Sequence, residues 1–342
     1  MLILAGDIGG TKTWLQIAEC DPSDAGRCRV LYEKRYASAD FPHFDELLNS
    51  FMQSVQQQGL SLPVQGCIGV AGPVESDNAG NDHAKVTNLP WRLNGPTLAA
   101  QHGLARLRLI NDFQAVAYGL ETLEENELMI LQPGEKVEGR APMAVIGAGT
   151  GLGQALLVWE GDTEDGFYTV IPSEGGHADF APGNQTQREL LDYLAQRQPR
   201  VSVEDVLSGR GLVNIYHHLV QQNPQQVDVS IQQAMAEGDA AAVLGNAGLS
   251  APDSLAGQAL GVFVSAYGTQ AGNYALTCMA SGGVYIAGGI GEKIRACFRG
   301  EEFVKAFRDK GPMQSYMCSI PVKLVLNPQV GLQGAALLAS RL

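Results

Sequence analysis

The order of apolar and polar positions along the chain predicts strands that alternate with helices near both ends. The apolar runs Leu2–Ala5 and Thr13–Ala18 predict the two strands of a hairpin. Apolar residues at helical spacing predict a helix over Phe44–Gln57. A second hairpin is predicted where the strand Met143–Ile146 enters a glycine-rich turn and returns as Gln154–Trp159. This alternation is typical of an α/β protein.

Weaker patterns of apolar and polar residues predict further strands and helices over most of the remaining chain. The other predicted strands are Gln65–Ala71, Leu107–Ile110, Gly283–Ala287 and Val322–Leu326. The other predicted helices are Pro96–His102, Phe113–Leu120, Gln187–Gln196, Val203–Leu207, Leu255–Ala280, Glu292–Phe298 and Gly334–Arg341. The stretch Gln221–Asp253 is rich in Gln, Ala and Gly, and it predicts helices without any chemical motif.

The two hairpins resemble each other, because each consists of an apolar strand, a turn of glycine and threonine, and an apolar return strand. Together with the length of 342 residues, this similarity predicts two related α/β domains that face one cleft. We predict the boundary near Asn111 and Asp112, with the C-terminal helix returning to the first domain. The predicted domains are therefore 1–111 plus 325–342, and 112–324.

The net charge of −13 excludes several classes of partner. Nucleic acid as the main partner would require a basic face, and so would an anionic membrane surface. Met1–Ala5 is apolar, but it lacks a basic flank and is too short for a signal peptide, and no run of eighteen apolar residues occurs. These features predict a protein that binds neither nucleic acid nor membrane.

The cysteines predict neither a zinc site nor a need for disulfides. None of the six cysteines forms a C-x-x-C pair, which is the usual zinc signature. A chain of this length can bury a full core without disulfides, so a reducing compartment is the simpler interpretation. We therefore expect a cytoplasmic protein.

The segment Asp7-Ile8-Gly9-Gly10-Thr11-Lys12-Thr13 is the first candidate for ligand chemistry. Its two glycines allow backbone N–H groups to approach an anion, and Thr11 adds a hydroxyl donor. Asp7 is a candidate to hold Mg²⁺ through water, because Mg²⁺ keeps several waters and binds few carboxylates. A tight hairpin with a turn-forming Asp explains the same composition.

Two further glycine-rich segments follow predicted strands. In Gly147–Gly153, Leu152 occupies the third glycine position of G-x-G-x-x-G, and a strand rather than a helix follows. No Gly-Lys dipeptide occurs, which excludes the G-x-x-x-x-G-K-[ST] loop. Two interpretations of Gly147–Gly153 remain: a hairpin whose backbone amides face a phosphate, and a glycine-rich turn without a ligand. Gly282–Gly291 leaves room for a flat nucleoside beside the backbone, or it only permits close packing of a strand and a helix.

Carboxylates stand at three informative places. Asp112 follows a predicted strand, where it can accept a proton from a hydroxyl or simply cap the next helix. Glu174 and His177 lie on a glycine-rich loop, where they can bind sugar hydroxyls or form a solvated turn. Glu204, two residues after Ser202, fits best as an acid of a capped helix.

These segments together resemble the bacterial glucokinase family, within the hexokinase–actin ATPase superfamily, in the same order along nearly the whole chain. Asp7–Thr13 and Gly147–Gly153 resemble its two phosphate motifs, and Leu109–Phe113 resembles its catalytic motif. The remaining matches are Ser173–Pro182, similar to the sugar-binding motif, Leu207–Leu212, a further family segment, and Val284–Gly289, similar to the adenosine motif.

The resemblance implies two related ribonuclease H-like or actin-like ATPase domains around a cleft, and ATP-dependent phosphorylation of the 6-hydroxyl of glucose with Asp112 as the base. The sugar would be bound by Asn111, Asp112, Glu174, His177 and Glu204. ATP and Mg²⁺ would be bound by Asp7, Gly9, Gly10, Thr11, Lys12, Gly149, Thr150, Gly288 and Gly289, with Asp7 holding Mg²⁺ through water. The family is usually a homodimer.

One departure separates the chain from the repressors and zinc-containing sugar kinases related to this family. Those proteins carry a cysteine cluster after the motif histidine, whereas Ala178–Gly183 follows His177 here and contains no cysteine. The resemblance therefore implies a zinc-free glucokinase. A kinase for another hexose or an amino sugar, and a non-catalytic sugar sensor, remain as alternatives.

Overall fold

The computed structural model describes residues 1–21, 28–135, 137, 140–162 and 166–342. Strands and helices are mixed throughout, so the predicted α/β class is confirmed. The chain divides into two compact units, which we call the first unit (Met1–Glu125 with Asn327–Leu342) and the second unit (Asn126–Leu326).

The strands and helices are numbered in chain order within the described residues. The strands are β1 (Leu2–Ile8), β2 (Lys12–Cys20), β3 (Cys28–Ala37), β4 (Gln65–Val70), β5 (Val74–Ser76), β6 (Asp82–Lys85), β7 (Arg92–Asn94), β8 (Arg106–Asn111), β9 (Leu128–Gln132), β10 (Met143–Ala148), β11 (Leu152–Glu160), β12 (Phe167–Ser173), β13 (Gly283–Ala287) and β14 (Val322–Val325). The helices are α1 (Phe44–Gln57), α2 (Gly95–His102), α3 (Asp112–Gly119), α4 (Gln185–Ala195), α5 (Gly209–Gln222), α6 (Val229–Glu237), α7 (Ala240–Ser250), α8 (Leu255–Cys278), α9 (Gly289–Lys293), α10 (Glu302–Arg308), α11 (Gln314–Ser319) and α12 (Val330–Ser340).

The main sheet of the first unit has the order β3-β2-β1-β4-β8 in the described residues. β1 pairs antiparallel with β2 and parallel with β4, and β4 pairs parallel with β8. Alternate residues of β1 enter different cores, because side chains of a strand point to opposite faces. Leu4 and Ile8 pack with α1, whereas Ile3 and Ala5 pack with α12. The carboxyl ends of β1, β4 and β8 therefore lie side by side at one edge of a sheet covered on both faces.

The sheet of the second unit repeats this arrangement, with the order β12-β11-β10-β13-β14-β9. β10 pairs antiparallel with β11 and parallel with β13, as β1 does with β2 and β4. The long helix α8 packs on this sheet, and Tyr267 fastens it there. The Tyr267 hydroxyl accepts from the Ala148 N–H at 3.0 Å and donates to the Ile146 carbonyl at 3.1 Å.

The first unit extends past the predicted boundary at Asn111, because α3 packs on the C-terminal helix α12. A Cβ on Gly334 would lie 1.9 Å from the Ala115 carbonyl oxygen, and one on Gly119 would lie 2.0 Å from the Val330 carbonyl oxygen. Glycine at both positions allows the two backbones to touch. As a result, α3 belongs to the first unit, together with the sheet in which β8 is the edge strand.

Two predicted helices differ from the structure. The predicted helix Val203–Leu207 is only a 3-10 turn, Val203–Asp205, because Ser202 and Asp205 form a capping box around one turn. The predicted helix Glu292–Phe298 is split into α9 and the 3-10 turn Arg295–Arg299. The stretch 221–253 holds the end of α5 together with α6 and α7, in agreement with its predicted helical character.

The expectation that the chain needs no disulfide is wrong for one pair, since Cys20 and Cys28 are bonded. They stand directly opposite each other where β2 pairs with β3, so the fold brings them together. The spacing of cysteines along the chain carries no information on this cross-strand contact. Cys67, Cys278, Cys297 and Cys318 are free thiols. In the parts of the chain that the structure describes, no helix combines the length and the apolar character needed to span a membrane.

Candidate active site

The turn between β1 and β2, which we call the first turn (Asp7–Thr13), presents backbone donors. The Gly9 N–H closes it by donating to the Lys12 carbonyl at 2.9 Å. Ser38, directly after β3, supports the turn, because its N–H donates to the Thr11 carbonyl and its hydroxyl donates to the Gly9 carbonyl, both at 3.0 Å. Among the described residues, the N–H groups of Gly10 and Thr11 have no acceptor. Consecutive donors of this kind form an anion-binding concavity.

Asp7 lies at the end of β1 and is half-buried. Its burial, together with the negative charge of Asp112, raises its pKa from 3.8 to about 6. Gly69 of β4 stands opposite Asp7, and a Cβ at that position would lie 3.6 Å from the Cα of Asp112. β4 thus passes close to the start of α3 at Gly69, and Asp112 lies near Asp7 at this end of the sheet. A pair of this kind is a common feature of functional sites.

Asn111, not Asp112, caps α3. Its side-chain oxygen accepts from the Phe113 N–H at 2.8 Å, and its own N–H donates to the Gln114 side chain at 3.1 Å. Its amide nitrogen donates to the Gly72 carbonyl at 3.1 Å. The capping interpretation of Asp112 is therefore wrong, since the preceding residue fills that role. Asp112 is the first residue of the helix, and its carboxylate also accepts from the Phe113 N–H at 2.8 Å.

The turn between β10 and β11, which we call the second turn (Gly147–Gly153), resembles the first. The Gly149 N–H donates to the Gly151 carbonyl at 2.8 Å, and among the described residues the N–H groups of Thr150 and Gly151 have no acceptor. Gly288, at the end of β13, has a φ of +84°, and a Cβ there would lie 2.5 Å from the Ala148 carbonyl. Glycine is required at that position, and Gly289 beside it opens onto free space.

The loop Ser173–His177, which we call the Glu174 loop, presents two exposed side chains. Glu174 and His177 are 84% and 63% exposed, and Oε2 of Glu174 lies 3.8 Å from Nε2 of His177. The loop backbone is held from below, because the Ser173 hydroxyl accepts from the Gly175 N–H at 3.1 Å. The Tyr274 side chain of α8 lies beside the Ser173 side chain and interacts with it. Both candidate residues are thus accessible on a supported loop.

Glu204 does not serve as the acid of a helix cap, so that prediction is wrong. Asp205 is the acid of the capping box with Ser202, which leaves Glu204 free for another partner. The Glu204 carboxylate accepts from the Leu152 N–H of the second turn at 2.9 Å. Arg210 lies 3.7 Å from its other oxygen and 2.8 Å from Asp205.

The structure also indicates residues that the sequence analysis did not single out. Gln154 of β11 is 3% exposed, and its amide nitrogen has no partner among the described residues. Its side-chain oxygen lies against Gly175, where a Cβ would approach it to 2.1 Å. In the sequence, the only sign of Gln154 was that a polar residue stands within an apolar strand. Gly69 could have been noticed, because a glycine within a strand often marks a close approach of another backbone.

The candidate residues thus form two groups, one in each unit. The first unit brings together Asp7, Gly9, Gly10, Thr11, Lys12, Asn111 and Asp112 at the carboxyl ends of its sheet strands. The second unit holds Gly149, Thr150, Glu174, His177, Glu204, Gly288 and Gly289. Within the described ranges, no group of three or more His, Cys, Asp or Glu side chains has the arrangement of a metal site.

Comparison with known proteins identifies the family. The family model described as Glucokinase matches residues 4–342. The chain belongs to the glucokinase family. A glucokinase of Nostoc sp. is 43% identical over 354 residues, with 100% of this chain and 99% of that protein covered. The predicted glucokinase, an enzyme that phosphorylates glucose, is thereby confirmed.

Solved structures support the same fold. A crystal structure of a glucokinase from an Antarctic psychrotroph has a TM-score of 0.81 and 29% identity, and the match covers 100% of this chain and 99% of that one. A glucokinase from Streptomyces griseus, solved in complex with glucose and AMPPNP, has a TM-score of 0.63 and 20% identity over 100% of both chains. The likeness to the Streptomyces griseus structure is evidence for the fold alone.

Proposed function

We propose that the protein transfers the γ-phosphoryl group of ATP to the 6-hydroxyl of glucose, with Asp112 as the general base. The observation that carries this proposal is the pair of Asp112 and Asp7 at the carboxyl edge of the first sheet, with the pKa of Asp7 raised to about 6. Asp112 lies near enough to Asp7 for their charges to interact, and a carboxylate at the end of a strand can accept a proton from a hydroxyl nucleophile. Family membership supplies the reaction class for this geometry.

Each of the two turns offers backbone donors to a nucleotide. The unpaired N–H groups of Gly10, Thr11 and Thr150 fit phosphate oxygens, and the exposed Lys12 adds a positive charge. This division of labour matches the requirement of phosphoryl transfer for alignment and charge neutralisation. The Streptomyces griseus enzyme, solved with AMPPNP, is an example of such a fold with a bound nucleotide.

The residues of the first turn also fit a magnesium ion. Asp7 carries a carboxylate whose ionisation is disfavoured by burial and by Asp112, so a cation beside it would relieve both costs. Mg²⁺ is commonly held by one or two carboxylates, waters and phosphate oxygens, so a cluster of protein ligands is not needed. When bound, the ion would neutralise charge on the transferred phosphoryl group.

The hydroxyls of the sugar would be read by Asn111, Glu174, His177 and Glu204. Glu174 and His177 are exposed, so they are available to donate to and accept from a sugar. Asn111 keeps acceptor and donor capacity beyond its contacts with Phe113 and Gly72, since its amide has two N–H groups and two lone pairs. Asp112 would orient the 6-hydroxyl and accept its proton late in the transfer.

The family resemblance extends the proposal to architecture and setting. We infer that the two units are related actin-like ATPase domains, because both sheets place an antiparallel hairpin beside a parallel strand. The same resemblance supports a cytoplasmic homodimer without a zinc site. These features would be checked by the molar mass in solution and by metal analysis.

A coupled assay over a panel of sugars and phosphoryl donors tests the proposal. We expect the highest kcat/KM with glucose and Mg-ATP, and product formation at the 6-position. A higher kcat/KM with another hexose or an amino sugar would reassign the substrate. Activity only with ADP or polyphosphate would reassign the donor, and no turnover with any combination would indicate a sugar sensor.

A further inference from the structure

The second turn is fastened to a neighbouring stretch, Val201–Gly209, which we call the bracing segment. The Leu152 N–H donates to Oε2 of Glu204, and the Gly209 N–H donates to the Gly149 carbonyl, both at 2.9 Å. These two bonds hold the turn on either side of its two unpaired N–H groups. The shape in which the turn presents those donors therefore depends on the bracing segment.

The carboxylate of Glu204 is in close contact with the backbone of the second turn. A Cβ on Gly151 would lie 2.5 Å from Oε2 of Glu204, so glycine at this position allows the carboxylate to reach the backbone. The Glu204 side chain is 21% exposed, and Arg210 lies 3.7 Å from its Oε1. Arg210 also pairs with Asp205 at 2.8 Å, which fixes its guanidinium group beside both acids. A partly buried charged acceptor of this kind makes a stronger hydrogen bond than a neutral one.

The bracing segment is also attached to the chain that follows the Glu174 loop. The Phe180 N–H donates to the Val201 carbonyl and the Val203 N–H donates to the Ala178 carbonyl, both at 2.9 Å. One short segment of the second unit thus contacts the second turn at one end and the continuation of the Glu174 loop at the other. Glu204 lies between these two ends and supplies the side-chain contact with the turn.

We propose that Glu204 is a positioning residue for the nucleotide, whose carboxylate holds the second turn in the shape that binds ATP phosphates. This inference rests on the proposed role of the second turn in ATP binding, and it assigns Glu204 a task beyond its implied contact with the sugar. Removal of the carboxylate frees the Leu152 N–H and lets the turn sample other shapes. Nucleotide affinity then falls because the turn must be ordered at the moment of binding.

The experiment is a calorimetric titration of the full chain with Mg-AMPPNP in the absence of any sugar. Glu204→Ala is expected to weaken binding about tenfold, since loss of a hydrogen bond to a charged group has an effect of this order. Glu204→Gln keeps an oxygen that accepts from the Leu152 N–H and is expected to bind within about threefold of the unmodified protein. Glu237→Ala, at an exposed position on α6, is the matched control and is expected to change nothing.

A second pair of variants tests the contact itself. Gly151→Ala places a methyl group where the carboxylate stands, so it is expected to weaken Mg-AMPPNP binding in the unmodified background. In the Glu204→Ala background the carboxylate that the methyl group would meet is gone, and its additional effect is expected to be less than twofold. Such non-additivity is the signature of residues in direct contact. Thermal unfolding of each variant shows whether the fold is retained.

Each outcome separates the inference from the proposed function. If Glu204→Ala binds Mg-AMPPNP as tightly as the unmodified protein without sugar, Glu204 serves the sugar alone and the inference is wrong, while the proposed phosphorylation of glucose stands. Additive effects of Gly151→Ala and Glu204→Ala would also overturn it. If the unmodified protein does not bind Mg-AMPPNP, both the proposed donor and the inference are wrong.

Discussion

The two hairpins, β1–β2 and β10–β11, have the same pairing but different chemistry. Each places an antiparallel partner on one side of its first strand and a parallel partner on the other, and each turn leaves two consecutive N–H groups without an acceptor among the described residues. The first turn carries its own charges, Asp7 and Lys12. The second turn has none, and its nearby carboxylate, Glu204, comes from the bracing segment.

This difference indicates that a repeated backbone can be used for two tasks. The first turn joins an anion-binding backbone to the carboxylate of Asp7, which is proposed to hold a metal ion, and Asp112, proposed to accept the proton, lies close to Asp7. The second turn supplies backbone donors only, and its shape depends on side chains outside it. The following predictions test this division, beginning with the largest expected effect.

Three of the four residues proposed to read the sugar hydroxyls, Glu174, His177 and Glu204, belong to the second unit. Replacing glucose with galactose is therefore expected to give the largest effect. A site built to pair each hydroxyl leaves buried polar groups unpaired when one hydroxyl is inverted, and discrimination can reach about 10⁴–10⁵-fold. We expect galactose to be a poor substrate, and Glu174→Ala to lower kcat/KM for glucose by about 10-fold to 100-fold through loss of a charged hydrogen bond. Measurement of kcat/KM for both sugars on Glu174→Ala, with the exposed Glu160→Ala as control, decides this point.

Equal rates on glucose and galactose, or an unaffected Glu174→Ala variant, would mean that the Glu174 loop is a solvated turn. The chemistry would then rest on the first unit alone, and the comparison of the two hairpins would lose its functional meaning.

Catalysis is assigned to the first unit, where Asp112→Ala should remove most turnover. Loss of a general base typically costs about 10²-fold to 10⁴-fold. Glucose binding should survive in part, because the Glu174 loop lies on other elements. The measurement is kcat together with the dissociation constant for glucose. Turnover within threefold of the unmodified protein would show that Asp112 is not the base.

The raised pKa of Asp7 predicts that Asp7→Asn stabilises the fold and weakens nucleotide binding. Folding favours the protonated form, so the stability that Asp7 contributes is present below its unfolded pKa of 3.8 and is lost as the pH rises through about 6. At pH 8 the ionised side chain is therefore a cost to the fold, and Asp7→Asn should raise the Tm there by more than it does at pH 5.

Binding of Mg-AMPPNP should be weakened by the same substitution, because a metal ion needs the ionised carboxylate. We expect Mg-AMPPNP binding by the unmodified protein to weaken as the pH falls below about 6, and Asp7→Asn to bind it weakly at every pH. Asp40→Asn, at an exposed position in the same unit, is the control. An Asp7→Asn variant that is less stable than the unmodified protein at pH 8 would contradict this account.

Removing the contact between Tyr274 and the Glu174 loop should have a smaller effect on glucose phosphorylation. Tyr274→Phe removes a hydroxyl that interacts with the Ser173 side chain, and we expect a fall of about threefold to tenfold in kcat/KM for glucose with the KM for ATP unchanged. Tyr316→Phe is a suitable control, because the Tyr316 hydroxyl is buried without a partner in the described part of the chain. A change in the KM for ATP alone would assign Tyr274 to the nucleotide instead.

The sequence predicted those features that depend on local order. Alternating apolar residues gave both hairpins, and the carboxylates at strand ends gave Asp7 and Asp112. Contacts between distant residues could not be predicted in this way. Tyr274 looks like any aromatic residue of a buried helix, and the acceptor role of Glu204 depends on a turn about fifty residues earlier in the chain. The Cys20–Cys28 bond likewise depends on strand pairing.

The absence of zinc is the prediction with the smallest expected effect, and it concerns the segment after the Glu174 loop. Ala178–Gly183 contains no cysteine, and His177 is half of an exposed pair with Glu174. We expect elemental analysis of the purified protein to find no stoichiometric zinc, and a zinc chelator to leave the Tm unchanged. A structural zinc ion binds tightly enough to persist through purification, so about one zinc per chain would be detected if a site existed. Such a result would place the chain with the zinc-containing sugar kinases and would give the second unit a metal-dependent loop.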